Sequence, residues 1–168
     1  ARFVNKNKSV SFTFNGKTMQ GFEGDTLASA LLANDQKLMG RSFKYHRPRS
    51  VVASGAEEPN ALFNLGEGPT FEPNQRATTQ ELFEGLKAET QNHWPSLEFD
   101  IGAVNTSLAR FLPAGFYYKM FIHQRPLWKN VYEPFIRHSA GLGKAPKESD
   151  PDTYEHFHCS VDVMVVGG

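Results

Sequence analysis

The residues that most directly suggest metal chemistry are His156, His158 and Cys159, in the order H-F-H-C. Imidazole nitrogens and thiolates are good zinc ligands. Residues two apart project together only from a strand, on which Cys159 would face the opposite side. Because the sequence offers no evident fourth ligand, we expect a solvated segment leading into the next strand, and no metal site.

Carboxylates suggest acid–base chemistry at Glu57-Glu58, which stand side by side in a polar stretch. Adjacent carboxylates in such a loop are typically solvated, and we expect this for both. Glu23 and Asp25 are better explained by a turn and a helix cap. No serine, cysteine or lysine has a neighbourhood that would activate a nucleophile, so the sequence predicts no catalytic residue. A redox switch at Cys159 is the alternative to a small buried or tolerated thiol.

The basic and aromatic residues of the chain are concentrated in one segment, GRSFKYHRPR, residues 40–49, called here the basic loop. Cations that steer phosphates and rings that stack on bases would suit a nucleic acid. The 18 basic and 18 acidic residues balance to zero net charge, which argues against that reading. We expect these residues to anchor the loop internally or to hold a neighbouring domain or subunit. An anionic cofactor reached by Arg41 or Lys44 is the remaining alternative.

The end of the chain, residues 161–168, reads VDVMVVGG. An apolar β-branched run that meets two glycines is how a dinucleotide-binding strand enters its phosphate loop. Gly167 and Gly168 are therefore the candidate cofactor-binding residues, since backbone without side chains lets a pyrophosphate approach closely. Such a strand requires parallel neighbours and cover on both faces.

Composition limits the remaining classes of protein. The 168 residues include a single cysteine, which excludes an internal disulfide framework and multi-cysteine metal sites. No apolar run approaches the ~20 residues that cross a bilayer, and the first residues lack the apolar core of a signal peptide. We expect a cytoplasmic protein without membrane or nucleic-acid partners.

The elements that position these residues begin with an alternating strand, 9–14, followed by Asn15-Gly16, a pair typical of two-residue hairpin turns. A return strand follows over 17–22. Asp25 is expected to cap a helix over 26–33, with Leu27 and Leu31 on one face. A hairpin followed by a helix is the opening of a β-grasp fold.

Further along, the sequence predicts a short strand over 61–65, a turn-rich connection over 67–74 and a helix over 79–90. A second amphipathic helix is expected over 127–139, kinked or split at Pro134. The aromatic residues between these two helices are expected to bury against an interface or core and not to line a ligand pocket; they are Phe111, Phe116, Tyr117, Tyr118 and Phe121.

The predicted fold class is α+β. Residues 1–90 form a β-grasp, ferredoxin-like domain, and residues 91–153 form an extended, partly helical connector that ends in a polar linker. Residues 154–168 contain the first strand of a Rossmann-type domain.

Several long blocks resemble the N-terminal region of the alpha subunits of heterotetrameric sarcosine oxidases. They are FNGKTMQGFEGDTLASALLAN (14–34), GRSFKYHRPRS (40–50), GAEEPNALF (55–63), WPSLEFDIGAVN (94–105), PAGFYYKMF (113–121) and the final DVMVVGG. The likeness covers nearly the whole chain in a consistent order.

The resemblance implies oxidative demethylation of sarcosine to glycine with formation of hydrogen peroxide, and tetrahydrofolate as acceptor of the one-carbon unit. It implies NAD in the parent subunit, FAD and FMN in the parent complex, and beta, gamma and delta subunits beside the remainder of the alpha subunit. The flavin chemistry belongs chiefly to the beta subunit and its interface with alpha, so the segment itself is expected to have a structural role in assembly.

The resemblance also implies a ferredoxin-type domain that has lost its iron–sulfur cluster. Related enzymes carry four cysteines, whose positions correspond here to Ala53, Glu58, Ala61 and, nearby, Thr78. A cluster is held by thiolates, so the segment is expected to keep the fold without electron transfer.

Two rival hypotheses remain from the sequence. The parent enzyme acts on another N-methylated amino acid, such as N-methylglutamate or dimethylglycine, or the chain is a stand-alone interaction module.

Overall fold

The computed structural model of the protein describes residues 4–111, 125–139, 141 and 143–165. Within these ranges, five strands form one mixed sheet: β1 (Asn5–Phe14), β2 (Lys17–Glu23), β5 (Leu62–Leu65), β6 (Glu72–Arg76) and β7 (Lys87–Thr90), in the spatial order β2-β1-β7-β5-β6. One helix, α1, packs beside β2 and completes the core. This arrangement confirms a mixed α/β, ferredoxin-like domain.

The sheet begins with an antiparallel hairpin of β1 (Asn5–Phe14) and β2 (Lys17–Glu23). Phe12 and Phe14 are fully buried, as the alternation in the sequence predicts. Asn15 and Gly16 both have positive φ, 48° and 76°, which is the conformation that a two-residue hairpin turn requires. The predicted hairpin is therefore confirmed.

Helix α1 (Leu27–Ala33) is capped by Thr26 and not by Asp25. The Thr26 hydroxyl accepts a hydrogen bond from the Ser29 amide, and the Ser29 hydroxyl accepts one from the Thr26 amide, which forms a capping box. Asp25 instead accepts a bond from the Phe22 amide and closes the preceding turn. Aspartate and threonine are both good caps, so only the backbone conformation decides between them.

The predicted helix over 79–90 is wrong. Its second part is strand β7 (Lys87–Thr90), which runs parallel to β1 and antiparallel to β5. Gly85 adopts a φ of 80°, which is incompatible with a right-handed helix. Leu82 and Leu86 are buried in the core. They lie on irregular backbone, because the chain then enters β7, which pairs with β1 on one side and β5 on the other.

Strand β5 (Leu62–Leu65) confirms the predicted strand over 61–65 and pairs with β7 on one side. On its other side lies β6 (Glu72–Arg76), at the sheet edge. The sequence predicts only turns here, and a 3-10 turn (Gly68–Thr70) does precede the strand. Pro73 argues against a central strand and is compatible with an edge strand.

A two-residue ribbon of β3 (Gly40–Arg41) and β4 (Pro48–Arg49) closes the base of the basic loop. In the core, the rings of Phe14 and Phe63 pack with centroids 5.2 Å apart. Leu97, which follows the sheet in sequence, is also buried in this core. The start of the connector is thus part of the same packed structure.

The connector continues with a 3-10 turn (Ile101–Ala103), helix α2 (Val104–Ser107) and a second 3-10 turn (Ala109–Phe111). A helical run follows, formed by α3 (Arg125–Leu127), a π-helical turn (Trp128–Tyr132) and α4 (Glu133–Ser139).

The predicted helix over 127–139 is therefore present. The π turn lies directly before Pro134, whose missing N–H interrupts the regular α-helical bonds. Phe135 in this helix is 70% exposed. Phe111 is 69% exposed, and the aromatic residues at 116, 117, 118 and 121 lie outside the described residues.

Residues 143–165 form neither helix nor strand. The strand predicted at the end of the chain is not formed over 161–165, and Gly167 and Gly168 lie outside the described residues. None of the helices described is long and apolar enough to cross a membrane.

Candidate functional site

The most unusual polar group in the fold is the carboxylate of Glu58, which is 1% exposed. It lies within residues 50–61, called here the Glu58 loop, which connect β4 to β5. One oxygen, Oε2, accepts hydrogen bonds from the amides of Val52 and Ala53 at 2.7 and 2.8 Å. The other, Oε1, accepts from the amides of Asn60 and Ala61 at 2.7 and 3.2 Å.

The expectation that both Glu57 and Glu58 are solvated is wrong for Glu58. Glu57 is exposed, whereas the Glu58 side chain turns inward. Burial raises the pKa of the Glu58 carboxyl, but the four amide hydrogen bonds outweigh it and leave this pKa below its usual value. The group is therefore a buried anion held by backbone dipoles.

The three positions that the resemblance matches to cluster cysteines lie in this loop, and Thr78, which is near the fourth, bonds to it. The Ala53 and Ala61 amides bind the Glu58 carboxylate, and the Thr78 hydroxyl donates to the Gly55 carbonyl at 2.8 Å. An iron–sulfur cluster requires thiolates. Two alanines, a glutamate and a threonine supply none, so the donor set does not fit a 2Fe–2S cluster.

A second buried cluster joins the basic loop to the connector, and we call it the clasp. It consists of Arg41, His46 and Asp100. The Arg41 guanidinium donates to the Leu97 carbonyl from Nε at 2.9 Å and from Nη2 at 2.6 Å. Nη2 also donates to the Glu98 carbonyl at 3.0 Å. The side chain of Arg41 is 8% exposed, which confirms internal anchoring for this residue.

His46 and Asp100 form the centre of the clasp. The His46 Nδ1 atom lies 2.6 Å from Oδ2 of Asp100. Because an ionised carboxylate only accepts hydrogen bonds, Nδ1 carries the proton in this contact. The other oxygen, Oδ1, accepts from the amides of Trp94 and Gly102 at 3.1 and 3.0 Å. Asp100 thus links His46 of the basic loop to two backbone amides of the connector.

The absence of a side chain at Gly102 allows the connector to approach the basic loop closely. A Cβ atom at this position would collide with the His46 ring. Further hydrogen bonds extend the contact on both sides: Asn92 Nδ2 donates to the Arg41 carbonyl at 3.0 Å, and Thr106 Oγ1 donates to the Tyr45 carbonyl at 2.8 Å. The basic loop is therefore held through its backbone carbonyls as well as through the side chains of Arg41 and His46.

His46 and Asp100 of the clasp line a cleft of about 490 Å³, together with His93 and Lys144. Burial lowers the pKa of His93, partly opposed by the charge of Asp100. The Asp100 carboxylate already binds two amides and His46. It therefore serves as an anchor and does not form an acid–base pair with His93.

Two cations of the basic loop contact an aromatic ring. Lys44 Nζ and the Arg47 guanidinium lie 4.9 and 4.8 Å from the centre of the Tyr45 ring. These cation–π contacts fold the loop back on itself.

The other predicted site residues are not brought together. His156, His158 and Cys159 are exposed on irregular backbone. Within the described ranges, no group of three or more histidine, cysteine or acidic residues is placed to hold a metal ion. Neither buried cluster was predicted from the sequence. His46 lies 54 positions from Asp100, whereas the amides that bind Glu58 lie close to it in the chain but form no recognisable motif.

Comparison with known proteins agrees with this architecture. The chain is 61% identical over 98% of its length to the sarcosine oxidase subunit alpha of Rhizobium meliloti (strain 1021). It is 28% and 29% identical to the subunits of the same name from Corynebacterium sp. strains P-1 and U-96. It spans only 17% of the first of these relatives and 12% of the other two.

One solved structure, L-proline dehydrogenase from P. horikoshii, matches 54% of this chain and 17% of that chain with 24% identity and a TM-score of 0.40. This likeness is too low to support a conclusion. The profile of the 2Fe-2S iron-sulfur cluster binding domain family matches residues 7–93, which is more than half of the chain. The chain therefore belongs to the 2Fe-2S iron-sulfur cluster binding domain family, although it lacks the thiolates that hold the cluster.

Proposed function

We propose that this chain is the N-terminal part of the alpha subunit of a heterotetrameric sarcosine oxidase, and that it serves in assembly and not in catalysis. The observation that carries the proposal is the 61% identity over 98% of the chain to a sarcosine oxidase subunit alpha. Two more distant relatives bear the same name.

In the proposed parent enzyme, the N-methyl carbon of sarcosine is oxidised to the level of formaldehyde while oxygen is reduced to hydrogen peroxide. Glycine is released, and tetrahydrofolate accepts the one-carbon unit. FAD and FMN belong to the complex of alpha, beta, gamma and delta subunits. We assign no catalytic residue to this chain.

The clasp supports the assembly role. Arg41, His46 and Asp100 hold the connector against the ferredoxin-like domain, so the domain provides a rigid base for the segment that follows. Beyond the clasp, large apolar side chains are exposed on the described connector, among them Phe99, Phe111 and Phe135. Apolar surface of this kind favours contact with the remainder of the subunit or with its partners.

We also propose that residues 154–168 lead into an NAD-binding domain in which Gly167 and Gly168 approach the cofactor. Val163 and Val165 are about four-fifths exposed here, 80% and 84%. Apolar residues at these alternating positions would be covered by neighbouring strands of such a domain.

The test is co-expression of the four subunits, with assay of peroxide formation on sarcosine, dimethylglycine and N-methylglutamate. We expect sarcosine to be the best substrate, and preference for another N-methyl amino acid would favour the sister enzymes. Deletion of residues 1–90 should prevent assembly. Normal assembly without them would contradict the scaffolding role, whatever the substrate.

A further inference from the structure

We propose that the Glu58 carboxylate replaces the iron–sulfur cluster as the anion at the centre of the loop, so that residues 50–61 stay folded without metal. This inference rests on membership of the 2Fe–2S family and on the geometry of the loop. It does not depend on the sarcosine oxidase assignment.

The first argument is the number and direction of the backbone donors. The amides of Val52, Ala53, Asn60 and Ala61 all point at the same carboxylate. Several amides that converge on one point form a concave nest with positive potential, which favours an anion. Iron–sulfur clusters accept hydrogen bonds through their sulfur atoms in the same way. The loop has kept an anion-binding backbone.

The second argument is that the anion comes from a former ligand position. The family resemblance matches Glu58 to one of the cysteines, and its side chain is long enough to bring the carboxylate between the two arms of the loop. Oε2 binds the arm that contains Ala53, and Oε1 binds the arm that contains Ala61. One side chain therefore links the positions of three ligands.

The third argument is the closure of the loop around this centre. The Glu58 amide donates to the Gly55 carbonyl at 3.2 Å, and the Thr78 hydroxyl donates to the same carbonyl at 2.8 Å. Asn60 Nδ2 donates to the Ser50 carbonyl at 3.2 Å. The fourth ligand position is thus tied to the loop by a hydrogen bond where a thiolate–iron bond would otherwise connect it.

The decisive experiment is amide hydrogen exchange on the whole protein that contains this chain, with fragmentation that resolves single amides. Glu58→Gln is nearly isosteric, but it offers one acceptor oxygen and places an NH₂ group against two amide donors. We expect exchange at the Val52, Ala53, Asn60 and Ala61 amides to accelerate about tenfold or more, because bonds to a charged acceptor are among the stronger ones.

The matched control is Glu57→Gln, which removes the neighbouring exposed carboxylate and should leave these four amides unchanged. If Glu58→Gln does not fold, Glu58→Asp decides, since it keeps the charge but is one methylene shorter. Faster exchange at the four amides in Glu58→Asp supports the proposal. Wild-type protection in the Glu58 variants, or equal acceleration in the Glu57 control, overturns it.

Discussion

The His46 imidazole donates from Nδ1 to the Asp100 carboxylate across 54 positions of sequence, at 2.6 Å. Both side chains are almost inaccessible, at 11% and 0% exposed. The contact joins the ferredoxin-like domain to a segment that the family profile does not cover, because the profile ends at residue 93. The domain and the first part of the connector therefore form one structural unit.

Asp100→Asn should loosen this unit. The asparagine NH₂ group would oppose the His46 N–H and the nearby Arg41 guanidinium, and loss of one partner of a buried ionic cluster costs about 3–5 kcal/mol. We expect a lower thermal midpoint and faster proteolysis between residues 94 and 111. Asp35→Asn is the matched control, because its carboxylate is 84% exposed. If the two variants had equal thermal midpoints and equal rates of proteolysis, the clasp would not hold the connector to the domain.

Thr78→Val should weaken the attachment of Thr78 to the Glu58 loop. It keeps the shape of the side chain and removes the hydroxyl that donates to the Gly55 carbonyl. Loss of one such hydrogen bond costs about 1 kcal/mol, since the Gly55 carbonyl keeps the Glu58 amide as a donor. Denaturant titration of the whole protein would measure the change. The adjacent Thr79→Val is the control, since that residue is exposed, and a similar loss there would assign the effect to β-branched substitution alone.

The Glu58 carboxylate should make stability fall in acid. Burial raises its pKa, yet the four amide bonds leave the pKa below the ordinary value of 4.5. A carboxyl with a depressed pKa in the folded state stabilises fully above its unfolded pKa, and this contribution is lost as pH falls through the folded value.

The difference in thermal midpoint between wild type and Glu58→Gln should therefore be largest near neutral pH and shrink below about pH 4.5. Glu57→Gln should follow the wild-type curve throughout. A constant difference in thermal midpoint between wild type and Glu58→Gln down to about pH 3 would mean that the charge of Glu58 does not contribute to stability.

Restoring the thiolates should restore the metal site. With iron and sulfide supplied without oxygen, the variant A53C/E58C/A61C/T78C should bind a 2Fe–2S cluster, because the loop still presents its amides to a central anion. Visible charge-transfer bands and iron content would report it. The control A53C/A61C/T78C retains the Glu58 carboxylate and should bind far less iron. Equal iron in both variants would show that Glu58 does not occupy the cluster position.

Short patterns in the sequence determined those elements that form from interactions between neighbouring residues. The alternation of Val10, Phe12 and Phe14, the Asn15-Gly16 pair and the apolar face of α1 each specify a structure within a few residues. The sequence also shows that residues 7–93, which match the 2Fe–2S family profile, contain no cysteine, whereas a cluster is held by thiolates.

Only the tertiary structure decided the rest, because it depends on contacts between distant residues or on the path of the backbone within a loop. Leu82 and Leu86 have helical spacing, but pairing with β1 and β5 places β7 directly after them. Glu58 resembles any loop carboxylate until four amides surround it. Likewise, His46 and Asp100 carry no signal of each other, since their contact exists only once the connector folds back onto the basic loop.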